Sequence, residues 1–287
     1  MNRSFLFIHN PISGGSKSNF IKIFESQKHK FSNHRIINTT HRGHAKELAA
    51  KYKNDFDVIV AVGGDGTVNE VASALVNTNT IMGIIPQGSG NGFSNHLGIS
   101  LNKIKALNAL LLNNEQTIDS ILIHKNTFVN VAGIGFDGHI TQLFNQTKSR
   151  GLWSYARLVL TEFFKFKEFD YTLRANNETL KGTAFIIALA NSSQYGNNFT
   201  IAPNAKSNDG LVNVLIFKKP SIWDAPFIIW QIFKGKSINK KYGTEVVSNT
   251  LTLQHPNQPI HLDGEFVTLN TTELSLRVEP SSLQVIS

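Results

Sequence analysis

Asp57-Val58-Ile59-Val60-Ala61-Val62-Gly63-Gly64-Asp65-Gly66-Thr67-Val68-Asn69-Glu70-Val71 is the stretch on which the fold turns. Its first half is an apolar run rich in β-branched residues, the pattern of a buried strand. Two glycines stop the run. An acid, a third glycine and a threonine follow. Val68, Val71, Ala72 and Leu75 then recur at helical spacing. Glycines at this junction leave room for a ligand beside the backbone. The unpaired N–H groups of the helix's first turn, with the positive end of its dipole, face that ligand. Phosphate fits such a place.

Asp65 is the exception, because a bare carboxylate repels phosphate. It makes sense if a divalent cation lies between them, or if it takes a proton from an attacking hydroxyl. The plainer reading is a tight turn in which Asp65 serves the backbone or a helix cap.

Strand and helix patterns alternate on both sides of this stretch. Strands are expected at 5–9, 35–38, 58–62 and 81–85, and helices at 20–27, 44–52, 68–76 and 101–112. This is the grammar of a parallel sheet with helices on both faces. Near Thr117 it changes. Strands are then expected at 119–124, 127–132, 170–174, 183–190, 211–217, 246–254, 259–262, 266–270 and 274–278. Asn, Gly, Asp and Pro mark their turns. Helical stretches are inserted at about Gly138 to Lys165 and Ser221 to Lys234. The expected division is residues 1–115, α/β, and residues 116–287, mostly antiparallel β.

Three more strand ends carry polar or Gly-rich loops. Asn10-Pro11-Ile12-Ser13-Gly14-Gly15 follows the first strand, Thr39 and Thr40 end the second, and Pro86-Gln87-Gly88-Ser89-Gly90-Asn91-Gly92 follows the fourth. Ligands of open α/β sheets bind at this edge. Singly, each is also an ordinary connection, a strand-end threonine or, for Asn91, a helix cap. Leu262-Asp263-Gly264-Glu265 places two acids at i and i+2, where one could accept a proton; an Asp-Gly hairpin turn is the bland alternative. Lys206-Ser207-Asn208-Asp209-Gly210-Leu211 reads as a turn before a strand.

Hydrophobic residues make up 41% and charged residues 17% of the 287, so the chain is globular. Having no cysteine, it excludes disulfides, thiolate zinc sites and a thiol nucleophile. The ten histidines form no HExxH-like ligand pattern. The formal charge of +8 favours anionic partners: nucleotide, nucleic acid or an anionic membrane face. The basic residues are not interleaved with a recognition motif, so no nucleic acid is expected. Lys218 to Lys241 is basic and aromatic, including Trp223, Phe227, Trp230, Phe233, Lys234, Lys236, Lys240 and Lys241. Such a segment either rests on an anionic bilayer or packs on the second domain. Trp153, Tyr155, Leu158 and Phe163 pose the same choice. No apolar run approaches the ~18 residues of a spanning helix. The expected location is the cytoplasm, with peripheral membrane contact; a homodimer remains open.

GGDGTVNEV resembles the nucleotide-binding signature of the diacylglycerol kinase catalytic-domain superfamily, which includes bacterial lipid kinases, sphingosine kinases and ceramide kinases. NPxSG, the threonine at 39, PxGSGN, the DG turn and DGE match in family order along nearly the whole chain. The resemblance implies an N-terminal α/β domain of the NAD kinase/phosphofructokinase type. It also implies a C-terminal β-sandwich, with the active site between the two and the last strand returning to the first domain. ATP and Mg²⁺ would be used to phosphorylate a lipid hydroxyl. Asn10, Ser13, Gly14, Thr39, Gly64, Gly66, Thr67, Asn69, Glu70, Gly88, Ser89 and Asn91 would line the nucleotide site. Asp65, Asp263 and Glu265 would be catalytic, with Glu265 or Asp263 as the base. The family's DDGxL turn binds a structural magnesium; here that implies Asp209 with carbonyls of Lys206 and Leu211. Asn208 replaces the first acid, which weakens such a site. Two rivals remain: another GGDG kinase such as an NAD kinase, and a non-catalytic nucleotide-sensing, membrane-binding protein.

Overall fold

A computed structural model describes residues 3–14, 19–112, 114–147, 152–196, 199–236, 239–269 and 271–287. Gly15, Asn270 and the side chain of Trp153, named above, lie outside the described residues. The first part consists of Ser4–His9 (β1), Phe20–Gln27 (α1), Asn33–Asn38 (β2), His44–Tyr52 (α2), Val58–Gly63 (β3), Asp65–Leu75 (α3), Ile81–Pro86 (β4), Gly92–His96 (α4) and Lys103–Ala109 (α5). The strands pair in parallel in the order β2-β1-β3-β4. Every residue of β3 and β4 is buried, as expected for strands covered on both faces. Phe7, Phe24 and Phe31 form an edge-to-face cluster under α1.

The second part comprises Glu115–Ile123 (β5), Asn126–Phe128 (β6), Val131–Gly135 (β7), Phe136–Gln146 (α6), Leu152–Lys165 (α7), Phe169–Ala175 (β8), Glu178–Ala184 (β9), Ile186–Ala190 (β10), Gln194–Gly196 (β11) and Phe199–Thr200 (β12). It continues with Val212–Phe217 (β13), Ala225–Phe233 (α8), Gly243–Ser248 (β14), Thr250–Gln254 (β15), Ile260–Leu262 (β16), Glu265–Val267 (β17) and Glu273–Ile286 (β18). One antiparallel sheet runs β14-β13-β10-β7-β16-β17. Its inner face packs on β5, β8, β15 and β18 through Ile134, Ile187, Leu189, Val214, Leu173, Leu253 and Leu276. This is the sandwich.

β18 ties the two parts together. Residues 273–277 pair antiparallel with β15, and Val285 pairs parallel with Met82 of β4. β5 flanks β18 on both stretches, with a register shift between Glu279 and Leu283. Pro280 supplies no N–H, and Ser281 takes a φ of 49°, so the ladder breaks there and the strand changes partners.

Several elements differ from the sequence expectation: β11 and β12 are additional, β18 runs on to Ile286, the stretch expected at 138–165 is two helices, and four others have a visible local cause. The helix expected at 101–112 is shorter, because Asn102 Oδ1 accepts the N–H groups of Ile104 and Lys105 and starts it at Lys103. The strand expected at 127–132 is two strands, since the N–H groups of Val129 and Asn130 are taken by Asp263. The one expected at 183–190 divides at Phe185, whose N–H goes to Phe217. The one expected at 246–254 becomes β14 and β15 in different sheets, with the Ser248 hydroxyl bonded to the Thr250 carbonyl at the break. Among the described residues no helix is long and apolar enough to cross a membrane.

Candidate active site

The strand-end loops of the first part meet at one edge. The N–H of Gln87 donates to the Gly63 carbonyl at 2.7 Å, extending the β3–β4 pairing into both loops. Gly64 and Gly88 then touch: a Cβ on Gly88 would lie 2.5 Å from the Gly64 Cα. Only glycines allow this contact, which leaves bare backbone at the start of α3. Gly14, with a φ of 80°, packs equally close: a Cβ there would sit 2.7 Å from the Gln87 carbonyl.

Side chains lock the loops to one another. Asn10 Nδ2 donates to Thr67 Oγ1 at 3.1 Å, and Ser13 Oγ to the Gln87 carbonyl at 3.3 Å. Gln87 Nε2 donates to the Ser13 carbonyl at 2.9 Å. Asn91, at a φ of 48°, closes its loop by accepting the Gly88 N–H and donating to the Gly88 carbonyl. Ser89 is exposed at the loop's tip, and Thr39 is half-buried at the end of β2.

Asp65 occupies the first turn of α3. Its Oδ1 accepts the Phe93 N–H at 3.4 Å, and Oδ2 faces Gly90. Burial pushes the Asp65 carboxyl above its ordinary range, against the N–H groups of Phe93, Gly92 and Asn91. A cation beside it would favour its ionised form.

Two further residues read as nucleotide ligands, Asn69 and Glu70, also have protein partners. Glu70 accepts the N–H groups of Gly43 and Ala45 at 2.8 and 3.0 Å, and so caps α2. Asn69 Nδ2 donates to Asp263 Oδ2 at 2.5 Å. Gly66 faces the second part: a Cβ there would lie 3.0 Å from Glu265 Oε1. The DGE turn thus stands over the helix start.

Asp263 and Glu265 differ sharply. Asp263 is buried, and its oxygens accept the N–H groups of Val129, Asn130 and Val131 at 2.9–3.0 Å besides Asn69. Burial pushes its pKa up to about 6, with the four donors pulling the other way. Glu265 opens β17 half-buried and forms an ion pair with Arg42 from the loop ahead of α2. In the sequence Arg42 is marked only by its place between His41 and Gly43, just after the Thr39 strand end.

The turn matched to the metal motif lies apart. Asp209 is exposed and accepts the Leu211 N–H at 3.1 Å; Lys206 is exposed as well. A cavity of about 230 Å³ lies against it, lined by Lys206, Ser207, Asn208, His96, Leu97 and Gln116. Asp119 was also missed. Its buried carboxylate accepts the N–H groups of Gly210 and Ser281 at 2.7 and 2.8 Å, joining this turn to the break in β18. A lone acid in the apolar strand Ile118-Asp119-Ser120-Ile121 was the signal.

Bare backbone at a helix start, an acid beside it and a second carboxylate facing Gly66 are parts that phosphoryl transfer calls for. Residues 4–123 match the diacylglycerol kinase catalytic domain, and residues 130–287 match the YegS C-terminal NAD kinase beta sandwich-like domain. The chain belongs to this lipid kinase family, whose enzymes are phosphotransferases with an alcohol acceptor. It is 27% identical over 256 residues to a diacylglycerol kinase of Mycobacterium tuberculosis, covering 83% of this chain and 79% of the relative. A diacylglycerol kinase of Bacillus subtilis is 25% identical, with 90% and 88% covered. The fold matches a Bacillus anthracis diacylglycerol kinase with a TM-score of 0.76 at 21% identity, over 99% of this chain and 96% of that one. An NAD kinase of Archaeoglobus fulgidus shares the fold at a TM-score of 0.55 and 12% identity, over 99% and 93% of the two chains.

Proposed function

We propose that this protein transfers the γ-phosphoryl group of ATP to the hydroxyl of a membrane lipid: a diacylglycerol, a sphingoid base or a relative of these. The observation that carries this reading is the approach of Glu265 to Gly66. It puts a half-buried carboxylate over the helix start where a phosphate would be bound. Residues 1–115 take the nucleotide and residues 116–287 the lipid.

The backbone of Gly64, Gly66 and Gly88, with the first turn of α3, receives the phosphates. Asn10, Ser13, Gly14 and Thr67 hold those loops in place, and Thr39 and Ser89 offer hydroxyls at the rim. Mg²⁺ would be held on the Asp65 side and would supply charge neutralisation to the phosphates. Glu265 accepts the proton of the lipid hydroxyl, since its carboxylate has one exposed ionic partner that can move away. Asp263 has four N–H donors and acts by holding the turn. Asn69 and Glu70 act likewise, on Asp263 and on α2. A structural magnesium at Asp209, with carbonyls of Lys206 and Leu211, belongs to the same reading.

The lipid side meets an anionic bilayer through the Lys218–Lys241 segment. Trp223, Phe227, Trp230 and Phe233 are exposed around α8, and Lys236 lies 5.0 Å from the Trp230 ring. In α7, Leu158 and Phe163 pack inward against Phe136 and Phe185, whereas Leu160 and Phe164 are exposed.

The test is a panel of acceptors with labelled ATP and magnesium. Label entering extracted lipid and not NAD supports the reading. Label entering NAD, or slow ATP consumption without any labelled lipid, overturns it in favour of one of the two rivals.

A further inference from the structure

In the second part an acid, an imidazole and a phenol meet: His261 is buried, and Asp137 and Tyr195 are half-buried. Asp137, in the first turn of α6, holds Oδ2 2.8 Å from Nε2 of His261 and accepts a hydrogen bond from the Tyr195 hydroxyl. His261 is only 2% exposed. Its Nδ1 accepts the Gly264 N–H at 3.2 Å, which leaves Nε2 as the nitrogen facing Asp137 as donor.

Burying such groups is costly, and apolar residues of similar volume would pack without that cost. The surrounding chain is also shaped to admit them. A Cβ on Gly133 of β7 would collide with the Asp137 carboxylate and the His261 ring. A Cβ on Gly138 would strike the Pro259 carbonyl, so α6 reaches β16 only as built.

The cluster has two arms, one reaching the Gly264–Glu265 turn and one reaching the Gly90–Gly92 loop. The His261 arm ends on the N–H of Gly264, the residue before Glu265. The Tyr195 arm ends on the nucleotide loop. A Cβ on Gly92 would lie 2.5 Å from the Tyr195 carbonyl, and one on Gly196 3.2 Å from the Gly90 Cα. One carboxylate therefore anchors both the turn that carries Glu265 and the hairpin that backs the phosphate loop.

We propose that Asp137, His261 and Tyr195 are positioning residues for phosphoryl transfer: Asp137 is the shared anchor, His261 sets Glu265, and Tyr195 sets the Gly88–Gly92 loop. This rests on Glu265 as proton acceptor. The test uses the full chain with γ-labelled ATP, magnesium and extracted total lipid as the acceptor pool. His261→Gln can still donate to Asp137 but leaves the Gly264 N–H unheld. It should lower kcat about tenfold with the KM for ATP within about twofold. Tyr195→Phe keeps the ring and should do the reverse, raising the KM for ATP severalfold with kcat nearly unchanged. The two residues of one arm should also be non-additive: His261→Gln with Glu265→Gln should be no slower than Glu265→Gln alone.

A merely structural role moves melting temperature and both kinetic constants together in both variants. That result, or full additivity in the double variant, overturns the inference. Should His261→Gln fail to fold, the KM effect of Tyr195→Phe decides by itself, and an unchanged KM overturns it. If Glu265→Gln alone keeps the native kcat, the proton-acceptor assignment fails and this inference falls with it. If Glu265→Gln is slow while His261→Gln is not, only this inference fails.

Discussion

Asn69, in the helix that opens with the GGDG turn, donates to the buried carboxylate of Asp263 at 2.5 Å. The two residues are 194 positions apart in sequence. Their bond joins the nucleotide side to the turn that carries Glu265. A hydrogen bond to a charged group is worth about 1.5–3 kcal/mol, because the partner left behind is buried. Asn69→Ala should destabilise the protein by about that amount in urea unfolding. It should lower kcat more than the KM for ATP. An effect on ATP affinity alone would return Asn69 to direct nucleotide contact.

The same carboxylate predicts a pH dependence. The pKa of Asp263 is about 6 in the fold, against an ordinary 3.8. Between those values the folded state holds a proton that the unfolded state has lost. Its contribution to stability is therefore fully present below the ordinary value and lost as pH rises through about 6. The ceiling is about 3 kcal/mol for a shift of this size. Activity should run the other way, since a protonated Asp263 cannot accept four N–H donors. Transfer should fall as pH drops through about 6. In Asp263→Asn the stability profile should lose this slope. An unchanged slope in the variant would assign the titration to another group.

Much of this site was legible because its parts depend on local sequence. A run such as Val58–Val62 cannot be other than buried, and Gly64 and Gly88 mark places where backbone approaches backbone. The order of strand-end loops followed from the alternation of the first 115 residues. Long-range partnerships were not legible. Glu70 sits in a nucleotide-binding signature, yet its carboxylate caps α2. Asp263 reads as a candidate base, yet the backbone of residues 129–131 surrounds it. The break in β18 at Pro280 could be seen as a proline. Its consequence, a strand shared between two sheet partners, depends on where β4 and β15 lie. Arg42 and Asp119 were missed for the same reason: their partners are distant in the chain.

The turn at Asp209 is expected to be a weak structural magnesium site. Asp209→Ala should lower the melting temperature in magnesium more than in a chelator. If magnesium leaves the melting temperature of the native protein unchanged, the turn is held by Asp119 and the backbone alone.

Docking through α8 predicts a salt-sensitive component. Lysines near an anionic leaflet contribute about 1 kcal/mol each, screened over about 8–10 Å. The apolar face adds attraction that salt does not screen, so binding to anionic liposomes should weaken with salt without vanishing. Replacing Lys234, Lys236, Lys240 and Lys241 by Gln should lower activity on vesicles far more than on short-chain dispersed lipid. Equal losses on both would place these lysines in folding or nucleotide binding.

The central claim is transfer to a lipid hydroxyl between Asp65 and Glu265. It is tested most directly by labelled ATP and extracted total lipid, with products identified by mass, for the native protein, Asp65→Asn and Glu265→Gln. The native protein should yield a labelled lipid that has gained one phosphate. Asp65→Asn should be folded and inactive. Glu265→Gln should bind ATP normally and transfer about 10²-fold or more slowly. Transfer at the native rate in either variant would contradict the account.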